Sequence, residues 1–154
     1  MKRIYSILFA LTSFSVQLVG QGTEFYCPTS QGGIYGGGAI FSLDGAGNNY
    51  QKRHDFDYTA GVNSQRETYR LCEGANGKLY GQNDGGIWEY DVINDVMYEK
   101  YRFPYMSTSS TTRLGGMMLA PNNKMYGVFS KGGAFDKGFL FEYDYINSVG
   151  IIKH

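Results

Sequence analysis

The stretch Lys78-Leu79-Tyr80-Gly81-Gln82-Asn83-Asp84-Gly85-Gly86-Ile87-Trp88-Glu89-Tyr90-Asp91 decides the fold, because its pattern occurs three times along the chain. A charged residue precedes an apolar-Tyr pair. A polar stretch then runs into Gly-Gly, and an apolar-aromatic segment closes on Asp. Upstream the same order reads Glu24, Phe25-Tyr26, Gly32-Gly33 and Ile40-Phe41-Ser42-Leu43-Asp44. Downstream it reads Lys124, Met125-Tyr126, Gly132-Gly133 and Leu140-Phe141-Glu142-Tyr143-Asp144. The Tyr lies 14 residues before the second segment in the first and third copies, and 7 before it in the second. From that segment to the next Phe, Phe56 or Phe103, the distance is 16 residues twice. Three copies with matched spacing are a tandem repeat. The second copy lacks a loop that the first holds at 34–39 and the third at 134–139, a loss that leaves strand pairing intact.

Each full unit carries four strand signals, in the first copy at 24–27, 39–43, 50–54 and 67–73. Tyr69, Leu71 and Glu73 alternate with Arg70 and Cys72, imperfectly, as strands buried on both faces do. Asn76-Gly77 and Asn122-Asn123 tolerate positive φ and read as hairpin turns, and Gly47-Asn48 and Asn94-Asp95 carry turn chemistry after Asp44 and Asp91. The units run 24–77, 78–123 and 124–154, the last incomplete. A unit of this size with four antiparallel strands predicts an all-β fold, a partial β-propeller-like array of about two and a half repeats. Closed propellers use about 4–8 blades. The chain ends inside a predicted strand, and the strand at 24–27 has no hairpin partner upstream. The expectation is an N-terminal part of a longer array, in which a closed ring takes that partner from the far C-terminus.

Lys78-Leu79-Tyr80-Gly81, the Gly-Gly pairs, Ile40-Phe41-Ser42-Leu43-Asp44 and His54-Asp55-Phe56 resemble the tandem GloVer repeat of bacterial surface proteins with varied C-terminal anchors, sorting domains of the type IX secretion system among them. The resemblance spans roughly 24–154. It departs at Cys27, where the other copies have Gly81 and Gly127, and at the shortened second loop. It implies an exported, surface-displayed, propeller-like protein, and it carries no catalytic residues.

The N-terminus points to the same compartment. Lys2 and Arg3 precede an uncharged, mostly apolar stretch at 4–19, and Gly20, Gln21 and Gly22 follow. This is the layout of a secretory signal peptide at 1–22, cleaved near Gly20 to Gly22. The stretch is shorter and more polar than a spanning helix requires, and Cys27 lacks a lipobox. After cleavage no segment is apolar enough to cross a membrane. The mature protein is therefore expected to be secreted or on the cell surface. Export makes Cys27 and Cys72 candidates for a disulfide, with two unpaired thiols in half-buried strands the equal alternative.

Fourteen basic side chains balance fourteen acidic ones, so the basic surface that nucleic acid requires is absent. His54 and His154 share a repeat position with Tyr101, which reads as a strand position rather than a metal site. Two cysteines and two distant histidines do not make a zinc site. Asp44, Asp91 and Asp144 recur in register. They read as turn-forming aspartates bonding nearby amides, ahead of a calcium site. Gly36-Gly37-Gly38 has no following helix or Lys-Ser/Thr and is not a phosphate loop. The hydroxyl run at 107–112 has no base beside it. Asp55, Asp57, Glu67 and Glu73 show no glycosidase pairing. No residue is assigned a catalytic, cofactor-binding or metal role, and no cofactor is expected. Trp88, Tyr90, Phe141 and Tyr143 stand in matched segments, which suits inter-sheet packing first and contact with a sugar face second. Two functions follow as expectations. One is a non-catalytic display or binding protein for a glycan or a cell-surface protein. The other is part of an extracellular propeller hydrolase or lyase acting on polysaccharide.

Overall fold

The computed structural model describes residues 23–57, 70–83, 85–104 and 114–153. The signal peptide at 1–22, the first three residues of the strand signal at 67–73, the hydroxyl run at 107–112 and His154 lie outside the described residues. Among the described residues the fold is all β, with no helix.

Among the described residues, eleven strands form three antiparallel sheets. The first holds β1 (Glu24–Pro28), β2 (Ala39–Asp44) and β3 (Gln51–Asp55), in chain order. The second holds β4 (Cys72–Glu73), β5 (Leu79–Gln82), β6 (Gly86–Asp91) and β7 (Val96–Arg102). The third holds β8 (Leu114–Leu119), β9 (Met125–Phe129), β10 (Phe139–Asp144) and β11 (Val149–Ile152). Tyr80 pairs with Glu89 as Tyr126 pairs with Glu142, and Tyr26 with Ser42, so equivalent residues occupy equivalent ladder positions. The strand signal that closes the first sequence unit pairs into the second sheet, Cys72 opposite Tyr80. β8 does the same for the third sheet. Sheets and sequence units are thus out of step by one strand. The first sheet has no equivalent of β4 or β8 along β1 among the described residues.

The turns follow the local chemistry. Gly77 and Asn123 take positive φ, 72° and 58°, in the β4–β5 and β8–β9 hairpins. Asn76 and Asn122 each accept from the amide two residues on, at Lys78 and Lys124. Asp95 and Ser148 take φ of 52° and 55° at matched positions of the β6–β7 and β10–β11 turns.

The sheets stack face on face, always in the same sense. Residues opposite each other in a ladder share a face. In the second sheet Leu79, Trp88, Tyr90 and Met97 look toward the first sheet and pack with Ile40 and Phe56. Its other face, with Cys72, Tyr80 and Ile87, packs with Met125, Phe141 and Tyr143 of the third. The second sheet is therefore covered on both sides, and β5 is buried throughout. Like lies over like, with β4 against β8 and β7 against β11, and β5 also touches β8. The contact that seals each interface is repeated. Phe56, just past β3, lies 5.8 Å from Trp88, and Phe103, just past β7, lies 4.9 Å from Phe141.

Gly81 and Gly127 are required by this packing. A Cβ on Gly81 would stand 2.0 Å from Trp88 Cζ2, and one on Gly127 2.6 Å from Phe141 Cζ. The ring of the paired residue lies across the glycine. The first sheet escapes the constraint at Cys27. Its ladder partner Phe41 stacks on Tyr50 instead, with ring centres 5.0 Å apart and planes at 19°.

Candidate functional site

Because the sheets stack in one sense, the connections β1–β2, β5–β6 and β9–β10 project from the same end. Gln82 Nε2 donates to Val128 O across the second interface at 3.2 Å, joining equivalent positions near that end. The Ala75 amide donates to Tyr145 Oη at the opposite end, where the hairpin turns gather. At the loop end, two long connections flank a short one.

The long connections share one geometry. The Gly38 amide donates to Gly32 O at 2.9 Å, and the Gly138 amide to Gly132 O at 3.1 Å. A Cβ on Gly38 would stand 1.9 Å from Thr29 O, and on Gly138 2.4 Å from Phe129 O. Only glycine lets the backbone close on itself there. Carboxylates tie each loop down. Asp55 Oδ1 accepts from the Ile34 amide at 2.9 Å while its Oδ2 accepts from Lys52 Nζ at 2.6 Å. Asp136 Oδ1 accepts from the Gly132 amide at 2.8 Å. Each tip holds apolar side chains out: Ile34 and Tyr35 are 74% and 46% exposed, and Phe135, at the position matching Tyr35, is 86% exposed. Between them the second sheet offers only a tight turn, with Asn83 buried and its Oδ1 without a hydrogen-bond partner. Among the described residues, an apolar-tipped loop thus stands on either side of it.

At the opposite end the matched carboxylates are committed to structure. Asp44 Oδ1 accepts from the amides of Ala46 and Asn48, Asp91 Oδ1 from Ile93 and Asn94, and Asp144 Oδ1 from Ile146 and Asn147. A side-chain amide of Asn49, Asn94 or Asn147 completes each turn. These bonds favour the ionised form. Those from the side chain and amide of Asn94 bring Asp91 down to about 2, and Lys124 and Asn147 push Asp144 lower still.

A second set of matched groups lies within the sheets. Tyr80 Oη donates to Glu89 Oε2 at 2.6 Å and accepts from Asn76 Nδ2 at 2.9 Å, while Lys78 Nζ reaches Glu89 Oε1 at 2.9 Å. In the third sheet Tyr126 donates to Glu142 at 2.9 Å, Asn122 donates to Tyr126, and Lys153 pairs with Glu142 at 2.8 Å. Burial opposes the charge on Glu89, but Tyr80, Lys78 and Lys100 outweigh it and hold its carboxyl below the ordinary range. In the first sheet Tyr26 donates to Glu24 at 2.8 Å, and Arg53 bonds Ser42 and Glu24.

Sequence reasoning placed its aromatic emphasis on buried rings. Trp88, Tyr90, Phe141 and Tyr143 are fully buried between sheets, so a ligand does not reach them. Among the described residues the exposed rings at the loop end are Tyr35 and Phe135. The signal that could have found them was present: the segment missing from the second copy is the one carrying both. His54 packs 5.5 Å from the Tyr90 ring with Nδ1 3.3 Å from Asp95 Oδ1. Cys27 is exposed on β1 and Cys72 buried on β4, and both are free. Among the described residues no group of three or more His, Cys, Asp and Glu is placed to hold a metal ion. No helix among them is long and apolar enough to cross a membrane.

One further concavity, a groove of about 290 Å³, lies on the outer face of the third sheet between Met118, Tyr126, Val128 and Leu140, with Arg70 at its rim. The class these features define is an all-β protein of stacked, repeat-built sheets with a loop-bearing end. No family model matches the chain, and no curated protein matches it.

Proposed function

We propose that this protein is a non-catalytic repeat protein, secreted or displayed at the cell surface, whose sheets belong to a β-propeller-like array and whose loop end binds a glycan or a cell-surface protein. The observation that carries this reading is the pair of matched loops, each pinned by glycine turns and a carboxylate, each holding an aromatic ring into solvent. An ordered loop that exposes apolar surface gains free energy by covering it, and functional residues gather on loops held by a rigid scaffold. An exposed ring suits the C–H face of a sugar as well as an apolar protein surface.

The array is supported by the constant stacking sense of the sheets and by strand pairing out of step with the sequence unit. In a closed propeller that offset locks one blade to the next. Export rests on the leader at 1–22, and surface display on the resemblance to the GloVer repeat. A polysaccharide hydrolase or lyase finds less support. Asp44, Asp91 and Asp144 cap turns, Asp55 holds a loop, and Glu89 and Glu142 serve Tyr-Lys networks.

The test is binding of the purified chain to a panel of polysaccharides and to a cell-surface protein fraction, beside a Tyr35→Ser/Phe135→Ser double variant. Truncating two exposed anchors is expected to weaken binding by about tenfold or more, as loss of hot-spot aromatics does. Equal binding by the double variant would remove the loops from the site. New reducing ends released from any polysaccharide would overturn the non-catalytic reading.

A further inference from the structure

We propose that copies of this chain associate head to tail, the outer face of the first sheet of one copy seating in the groove on the outer face of the third sheet of another. The proposal rests on the array reading above and extends it from one chain to two.

Within the chain the same face-to-face contact is made twice, always between the same two kinds of surface. One kind is the face of Leu79, Trp88, Tyr90 and Met97, which the second sheet turns to the first. The first sheet carries its counterpart outward, at Phe25, Phe41, Leu43 and Tyr50. Every one of these is apolar or aromatic, and Phe25 and Tyr50 are 50% and 66% exposed. The other kind is the face of Cys72, Tyr80, Gln82 and Ile87, on which the third sheet sits. Its counterpart on the third sheet is Met118, Tyr126, Val128 and Leu140, the lining of the groove. Met118 is 67% exposed where Cys72 is buried. The outer faces of the first and third sheets thus present a plug and a seat, and an interior contact already shows how such a plug fits such a seat.

The carboxylates on the seat do not oppose this. Glu142 is closed by Tyr126 and Lys153 and Asp144 by Lys124. The corresponding Glu89, closed by Tyr80 and Lys78, is already buried beneath the third sheet. A charge neutralised and hydrogen-bonded within its own sheet tolerates being covered. Plug and seat are different surfaces, so the contact is heterologous.

The test is the mass of the purified chain in solution, by light scattering at about 100 μM, where micromolar contacts are populated. The chain is expected to be larger than a monomer. Leu140→Lys removes the seat and Phe25→Lys the plug, both at exposed positions, with Val128→Lys as a second seat variant. Each variant alone is expected to run as a monomer with an unchanged far-ultraviolet spectrum, and a mixture of Leu140→Lys with Phe25→Lys as a one-to-one dimer. A monomeric parent chain would overturn the proposal, as would a Leu140→Lys or Val128→Lys variant that still self-associates. Loss of ligand binding by an associating chain would overturn the display function alone, because that site uses Tyr35 and Phe135.

Discussion

Trp88 and Gly81 show how little freedom a matched position retains. The indole fills the space a side chain at 81 would need, with an added Cβ 2.0 Å from the ring. Gly81→Ala forces the indole out of place in an interface with no spare volume, and overpacking of this kind costs about 1–3 kcal/mol. Cys27→Ala at the same repeat position changes an exposed side chain whose ladder partner has swung onto Tyr50, and should stay within about 0.5 kcal/mol. Urea unfolding followed by the fluorescence of Trp88 measures both. Equal losses would mean that the ring is not seated on the glycine.

At the scale of the element, stability resides in turns whose carboxylates work only when ionised. Asp44, Asp91 and Asp144 are each held below their ordinary range by bonds within the β2–β3, β6–β7 and β10–β11 turns, Asp91 at about 2. A carboxyl with a depressed folded value contributes fully above its unfolded value, near 3.9, and loses that contribution as pH falls through the folded one. Two tyrosines, one half-buried and one buried, act in the opposite sense. Burial and the Glu24 carboxylate push Tyr26 up to about 12, and burial pushes Tyr143 to about 12. Their contribution is complete below about pH 10 and declines as pH rises toward 12. The melting temperature is therefore expected to be level from about pH 5 to 9, to fall between about 4 and 2, and to fall again above about 10. An Asp91→Asn/Asp144→Asn variant should show a shallower acid limb. An unchanged limb would place the acid sensitivity elsewhere.

For the whole molecule, the second sheet is the keystone, since both hydrophobic clusters draw on it. Trp88 reports the interface with the first sheet and the strand signal in circular dichroism reports all three. The two should unfold together, because neither outer sheet keeps a covered face once the second is lost. If copies also cover each other's outer faces, dissociation and unfolding are linked, and the melting midpoint rises with protein concentration. A midpoint independent of concentration over about a hundredfold range would argue that each copy melts alone. Among the described residues β1 is the edge strand of the first sheet, and an edge of this kind is a second reason to expect association, since it invites another strand.

Strands, turns and repeat were legible in the chain itself. Apolar-aromatic alternation, Gly-Gly and Asn-Gly act over a few residues, so their meaning survives without knowledge of neighbours. The strands predicted at 24–27, 39–43 and 50–54 match β1, β2 and β3 to within a residue at each end. The turn role of Asp44, Asp91 and Asp144 was equally local, each bonding amides two to four residues on. The partner of the fourth strand signal was legible through the Asn76-Gly77 hairpin turn, which pairs Cys72 with Tyr80, but which sheet would cover which was not. Nor was the side on which each ring would lie. Trp88 and Tyr35 are both aromatics beside glycines, and only the stacking of one sheet on the next buries the first and leaves the second in solvent. Periodicity along a chain determines that a face exists, and what covers the face is decided by surfaces distant in sequence that meet only in the folded molecule.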